Sequence, residues 1–315
     1  MYDIVGIGTM LIDFTPHGVS NNGNTLYERN PGGSVANFLV AAARQGSKCA
    51  FIGKLGNDMF GRFLKKTLED DHIETAGVVM CEEKLTSGAF VQLDDKGERE
   101  FVFYRKGMAD SSLLEQEVRY DILDHTRTLH LTSFMLAGDE AYHTVLKILD
   151  YVAEKDLMVT FDVNWRPNIW DDKELGMERI KRIIERTDIL KVSKEELDWL
   201  TGGGDSWEKS AEKLTKKGPK LIIVTAGSNG SNYYYAGHSG HVDSYPVTPV
   251  DTTGAGDCCF GVFMSRFLQA GMTTETMNDQ VILSCLDDAN WASAQCVSCY
   301  GGIPSMPHAL CAQRT

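Results

Sequence analysis

The sequence predicts an α/β fold: a central, mostly parallel sheet flanked by helices, with a small β-sheet lid appended. Three observations predict it. Short apolar runs alternate along the chain with stretches whose apolar residues recur at helical spacing. One pair of strand-like segments, 87–93 and 100–105, has no helix between them, only the turn Asp94-Asp95-Lys96-Gly97. A polar, Gly- and Asn-rich stretch at 16–31 offers itself as the partner of that hairpin.

The elements follow in order. Ile4-Val5-Gly6-Ile7-Gly8 reads as a buried first strand. VANFLVAAAR at 35–44 reads as a helix, closed by Gln45-Gly46 as a glycine C-cap. A strand at 49–52 and a helix from about Asp58 complete a βαβ unit. Further strands are predicted at 128–131, 158–163, 188–192 and 221–225. Helices are predicted between them at 140–154, 173–186, 195–200 and 207–217, and two more at 255–270 and 278–297. No repeat at a fixed period of 20–50 residues is visible, which disfavours solenoids and propellers.

Composition narrows the function. The 315 residues are 43% hydrophobic and 24% charged, the balance of a globular protein rather than a disordered or collagenous one. Lys and Arg number 31 against 44 Asp and Glu, a net charge of −13, which disfavours a general nucleic-acid binder. The first fifteen residues lack the basic flank and apolar core of a signal peptide. No apolar run reaches the length of about 20 residues that spans a bilayer. A cytoplasmic location is therefore expected, with the eight cysteines at 49, 81, 258, 259, 285, 296, 299 and 311 as reduced thiols. Cys296 and Cys299 form a single CxxC with no second pair at zinc spacing.

The densest chemical signal is Asp251-Thr252-Thr253-Gly254-Ala255-Gly256-Asp257, directly before an apolar helix. Small residues at a helix start leave backbone N–H groups unpaired, and with the helix dipole these attract an anion. Two carboxylates there need a reason. One is a base that deprotonates a hydroxyl attacking a phosphoryl group; the alternative is a capped turn without chemistry. Near the other end, Asn30-Pro31-Gly32-Gly33-Ser34-Val35-Ala36-Asn37 is a tight glycine turn leading into a helix. Its glycines let backbone approach a ligand, and Asn37 can both donate and accept. Asp13 follows the first strand, where open parallel sheets bind ligands. No P-loop is present, and Gly6-Ile7-Gly8 lacks the third glycine of a dinucleotide fingerprint. Serine-hydrolase, zincin and protein-kinase motifs are absent too.

These motifs resemble those of the ribokinase-like, or PfkB, family of carbohydrate kinases. DTTGAGD at 251–257 matches its C-terminal signature, and Gly32-Gly33 with Asn37 through Gly53-Lys54-Leu55-Gly56-Asn57-Asp58 and Gly61 matches its N-terminal one. The resemblance covers essentially the whole chain. It implies one ribokinase-like domain over 1–315, with a lid from about 12–31 and 84–110. Asp257 is implied as catalytic base, and the N–H groups of Gly254, Ala255 and Gly256 as the anion hole. Asp13, Gly32, Gly33 and Asn37 are implied as sugar-binding. Lys191, Ser193, Thr225, Gly227, Gly230 and Asn290 are implied as nucleotide-binding. Glu196 is implied near Mg²⁺, through water, and Asp251 with Thr253 at a monovalent cation such as K⁺. The family pattern Asn-x-x-Glu reads Ser193-Lys194-Glu195-Glu196 here, a departure shared with fructokinase-like members.

For the sugar, FVFYRKGMAD and DVNWRPNIW resemble bacterial fructokinases most, with 2-keto-3-deoxygluconate kinases next. Strand alternation puts Phe101, Phe103 and Arg105 on one face, over the sugar. Arg105 and Arg166 would suit a substrate carboxylate, although Arg166 also reads as an ion-pair partner of Asp162. The expectation is MgATP-dependent phosphorylation of a primary hydroxyl, with fructose first. The reading from another class is a sugar-binding regulator that has lost catalysis. Exposed strand edges in the lid make a homodimer through it an expected partner.

Overall fold

The structure is a computed structural model that describes residues 1–93 and 99–308. The turn at Asp94-Asp95-Lys96-Gly97, the Phe101 side chain and Cys311 lie outside what is described. The chain opens with β1 (Tyr2–Ile7), β2 (Leu11–Val19), β3 (Thr25–Gly32), α1 (Ser34–Arg44), β4 (Cys49–Gly56), α2 (Met59–Asp70) and β5 (Glu74–Cys81). It continues with β6 (Gly88–Leu93), β7 (Arg99–Tyr104), α3 (Tyr120–Leu123), β8 (Thr126–Thr132), α4 (Asp139–Glu154) and β9 (Met158–Asp162). Then come α5 (Lys173–Ile184), β10 (Ile189–Ser193), α6 (Lys194–Thr201), α7 (Trp207–Thr215) and β11 (Leu221–Thr225). β12 (Ser231–Tyr235), β13 (His238–Val242), α8 (Ala255–Gln269) and α9 (Asp279–Val297) complete it.

Nine strands form the large sheet in the order β13-β12-β11-β10-β9-β8-β1-β4-β5. Neighbours run parallel from β5 through β11, and β12 and β13 are antiparallel additions at one edge. The β12–β13 hairpin turns on Ala236 and Gly237, both at positive φ. That conformation matches the twist of the flanking strands. After β1 the chain moves to β4 and β5 on one side, then returns to β8 on the other. The carboxyl ends of β1 and β8 therefore flank a switch point, where such sheets hold ligands.

Alternation along the strands feeds two cores. Ile4 packs with α1, α2, α8 and α9, whereas Val5 and Ile7 pack with α3 to α7. Gly6 and Gly8 let α1 lie close on β1: a Cβ on Gly8 would meet Val35 Cγ2 at 2.2 Å. The two glycines thus serve helix–strand packing. His130 of β8 is buried, stacked on Phe38 with ring centroids 3.5 Å apart. Burial, with Lys191 nearby, pushes its pKa well below the usual histidine range, so it is neutral.

A second sheet has the order β3-β2-β6-β7. Its inner face packs Leu11, Ala89 and Phe103 against Phe134. On its outer face Phe14 stacks on Phe90 at 4.6 Å, and Tyr27 and Tyr104 meet Phe90 edge-on. The 16–31 stretch thus comprises the end of β2, the turn at 20–24 and most of β3, and the two strands start earlier and end later than its polarity suggests. The β5 strand and the β12–β13 hairpin were not foreseen. Gly77 interrupts the apolar run of β5, and β13 is a polar edge strand.

Candidate active site

A cavity of about 800 Å³ opens at the switch point. Its walls come from the loop after β1, the starts of α1 and α8, the ends of β9 and β10, and the inner face of the small sheet. Asp13, Gly33, Asn37, Phe103, Arg166, Lys191, Ser193, Glu196, Thr225, Thr253, Gly254, Gly256 and Asp257 all line it. Motifs more than 190 residues apart in sequence therefore converge on one space.

Asp257 sits in the first turn of α8, 8% exposed. Asn37 Nδ2 donates to its Oδ2 at 2.8 Å, and Asn164 Nδ2 approaches Oδ1 at 3.4 Å. Burial and then the charge of Asp162 push its pKa up to about 7, while Asn37, Lys191 and Arg166 pull the other way. A carboxyl poised near neutrality suits proton abstraction at physiological pH. The turn before it starts with Gly254 at φ 78, a left-handed conformation that favours glycine. Among the described residues no hydrogen bond uses the N–H of Gly254 or Gly256. Ala255 differs: its N–H donates to the Thr252 carbonyl at 3.3 Å, and the residue does not line the cavity.

Asp251 is buried, and its carboxylate accepts N–H groups of Thr253 at 2.7 Å and Gly301 at 2.9 Å. It ties the turn to the segment after α9. Across the cavity Gly33, at φ 115, caps α1 with its α-carbon pressed against the Thr9 carbonyl; a Cβ would meet that oxygen at 2.4 Å. Gly32 does not line the space itself. It leaves room for Asp13, whose Oδ2 stands 2.1 Å from where a Gly32 Cβ would be.

Ser193 and Glu196 form a reciprocal capping box on α6. Glu196 Oε2 accepts the Ser193 N–H at 2.7 Å, and Oε1 accepts the Trp165 N–H at 2.6 Å. Burial raises the Glu196 pKa against the pull of Lys191. Serine in place of the family's asparagine is thus accounted for as a helix cap that fixes the glutamate.

Other sequence-derived assignments fare differently. Arg105 does not reach the cavity. Its Nε donates to Asp110 at 2.6 Å, and its guanidinium lies 4.6 Å over the Phe134 ring, behind the cavity wall. The nearby carboxylate captures it. Arg166 does not pair with Asp162, which takes Lys191 instead, at 3.0 and 3.1 Å; Arg166 projects at the cavity rim. Asn290 is a clasp: it accepts from Ser231 Oγ at 2.7 Å and donates to the carbonyls of Val242 and Asp243. Gly227 and Gly230 shape the turn after β11, both at positive φ, and Gly230 packs on the Val242 carbonyl. The second half of the N-terminal signature is structural as well. Asp58 caps α2, Gly61 packs on the Gly56 carbonyl, and Lys54 pairs with Glu117.

Leu11, Phe134, Trp165 and Trp199 line the cavity without having been singled out from the sequence, whereas Asn164 belongs to the run 162–166 whose polar side chains were expected to face the cleft. Asn164 carried one signal: it sits two residues past a strand end, in a polar run. It holds φ 39, unusual for a residue with a side chain, and its N–H donates to Asp162.

The family model for "pfkB family carbohydrate kinase" matches residues 1–309. The chain belongs to the pfkB family of carbohydrate kinases. This kinase is 36% identical over 307 residues to fructokinase-1 of Oryza sativa subsp. japonica, covering 96% of this chain and 94% of the relative. The structure of a Xylella fastidiosa fructokinase with bound ATP superposes with a TM-score of 0.89 at 27% identity, over 97% of this chain and 95% of that one. A Vibrio cholerae O395 fructokinase variant holding fructose, ADP and potassium gives 0.87 at 29%, over 97% and 96%. The large and small sheets are thus the ribokinase-like architecture expected from the motifs.

Proposed function

We propose that this pfkB-family kinase transfers the γ-phosphoryl group of ATP to a primary hydroxyl of fructose. The observation that carries the reading is Asp257, buried and close to neutrality in pKa, beside helix-start amides in a cavity that also presents Asp13 and Asn37. Asp257 takes the hydroxyl proton as the oxygen attacks phosphorus. The Gly254 and Gly256 amides hold the charge on the moving phosphoryl group, and Ala255 joins them if its bond to Thr252 opens. Asp13, Asn37 and the backbone at Gly33 hold sugar hydroxyls, and Phe103 packs on the ring.

Ser193 and Thr225 border the nucleotide's path. Glu196 fits a hydrated Mg²⁺: both oxygens are fixed by amides, and each keeps a lone pair toward the cavity. When bound there, the ion offsets charge on the phosphates. Asp251 and the Thr253 carbonyl are hard oxygen donors at the foot of the anion turn, a set that fits K⁺. The small sheet, about 12–31 and 84–110, acts as a lid of the single domain and keeps water from the phosphoryl group. Its outer face, with Val102 and Tyr104 exposed, pairs with a second copy.

A neutral sugar is favoured over a sugar acid by one arrangement. Arg105 is neutralised by Asp110 behind Phe134, and Asp13 stands in the same subsite and repels a carboxylate. The test is a coupled assay of ADP release with fructose, other hexoses, ribose and 2-keto-3-deoxygluconate. Fructose should give the highest kcat/KM, by about tenfold or more over the acid. A preference for 2-keto-3-deoxygluconate would replace the substrate. Sugar binding without any turnover would indicate a regulator.

A further inference from the structure

One motif of the sequence has no part in the account above, the pair Cys296 and Cys299. The two lie at the end of α9 and just past it, in a single turn whose Cys299 N–H donates to the Cys296 carbonyl at 3.1 Å. Such a turn keeps its end α-carbons within about 7 Å and puts residues three apart on one face, a separation that a disulfide can bridge. Their surroundings differ. Cys296 is fully buried, with its thiol 3.1 Å from Ser305 Oγ and 3.9 Å from the Thr253 carbonyl. Among the described cysteines only Cys299 is exposed; Cys49, Cys81, Cys258, Cys259 and Cys285 are buried as well. A reagent in solution therefore meets Cys299 first. This turn is also tied to the helix start. The Val297 carbonyl accepts the N–H groups of Val250 at 2.7 Å and Asp251 at 3.1 Å. The Asp251 carboxylate accepts the Gly301 N–H at 2.9 Å, and Ser293 Oγ donates to the Ala255 carbonyl at 3.0 Å. Residues 293–301 thus hold 250–255 in place, directly before Gly256 and Asp257.

We propose that Cys299 is a thiol-modification site, and that Cys296 closes a disulfide onto it which displaces the turn before α8 and slows turnover. In the first step the Cys299 thiolate attacks one sulfur of a low-molecular-weight disulfide. An S–S bond forms to Cys299, and the other half leaves as a thiolate that takes up the proton Cys299 released. The Cys296 sulfur then attacks the Cys299 sulfur of the mixed disulfide, and the second half leaves as a thiol carrying the Cys296 proton. Two cysteine thiols are oxidised, one small disulfide is reduced to two thiols, and no other reactant is needed. The modification is independent of the kinase reading, whereas its effect on turnover rests on it. To reach Cys299, the Cys296 side chain must leave Ser305 and Thr253 and turn toward the surface. The contact under Thr253 opens, and the 297–301 backbone moves with the carbonyl and the N–H that hold Asp251. The amides of Gly254 and Gly256 follow at once in the chain and are displaced with it.

The test treats the reduced full chain with oxidised glutathione and follows intact mass, linked peptides and turnover. The mass should fall by two hydrogens with no glutathione retained, and peptide mapping should join Cys296 to Cys299. With that bond formed, kcat should drop about 10- to 100-fold, the scale of loss that a displacement of about 1 Å produces, and dithiothreitol should restore it. Cys299→Ser should turn over like the wild type when reduced, and should stay active and unlinked under the same treatment. Thiols that remain free, glutathione retained on Cys299 without the link, or a bond through Cys258 or Cys311 instead would overturn the proposal. A Cys296–Cys299 bond that leaves kcat unchanged would overturn the coupling to the turn. Turnover of the reduced wild type decides the kinase reading separately, since mass and mapping report on the disulfide whether or not fructose is the substrate.

Discussion

In the proposed reaction Asp257 answers to two opposing demands, ionisation for proton abstraction and burial for order. With its pKa near 7, kcat/KM should rise about tenfold per pH unit below that value and level off above it. A pH profile flat from 5 to 8 would show the carboxyl ionised throughout. Stability follows from the same shift. An unfolded aspartate ionises near pH 4, whereas the folded one keeps its proton up to about 7. The folded state binds more protons between those values, so stability present at pH 4 is lost as pH rises through 7. Asp257→Asn removes that loss. In scanning calorimetry the variant should melt a few degrees above the wild type at pH 8, with the gap closing toward pH 4. A variant that melts below the wild type at pH 8 would contradict the burial account. Asp257 and its glycines were legible because they are contiguous. Lys191 was expected at the nucleotide, but its pairing with Asp162 was not legible, since the two meet only through the pairing of strands 29 residues apart. Arg105 was misplaced because alternation predicts a face and says nothing of a competing carboxylate five residues on.

At the scale of elements, α1 and α8 would bring the sugar and phosphoryl halves of the proposed site together, and the seating of α1 on β1 depends on bare backbone. Gly8→Ala would press a methyl into Val35 and should cost about 1–3 kcal/mol while displacing the helix that carries Asn37. Denaturant titration should show the loss, and Gly8→Ala with Val35→Ala should recover most of it. No loss in the single variant would mean that α1 is not held by this contact. The β11 strand was read to the residue, and most helices to within two or three positions, because periodicity marks them. The β12–β13 hairpin was missed although Tyr233, Tyr234 and Tyr235 are strong strand formers followed by a turn glycine. That omission also misled the reading of Asn290, whose partners lie on and just beyond that hairpin.

For the molecule as a whole, the parallel core was legible from alternation, while the partner proposed for the small sheet's outer face is not encoded in any one element. Tyr27, Val102 and Tyr104 are 42%, 45% and 60% exposed there, and a second copy covering them should give a dimer in sedimentation at micromolar concentration. Tyr104→Asp should shift it to monomer; a wild-type monomer at tens of micromolar would contradict the pairing. In the proposed reaction the large sheet, the helix start and the buried acid act as one unit to move a phosphoryl group. The most direct measurement is fructose-dependent ADP release by the wild type and Asp257→Asn at pH 8 with saturating MgATP. A fall in kcat of about 1,000-fold, with fructose still bound, is predicted. A variant within tenfold of the wild type would contradict the assignment of Asp257 as the base.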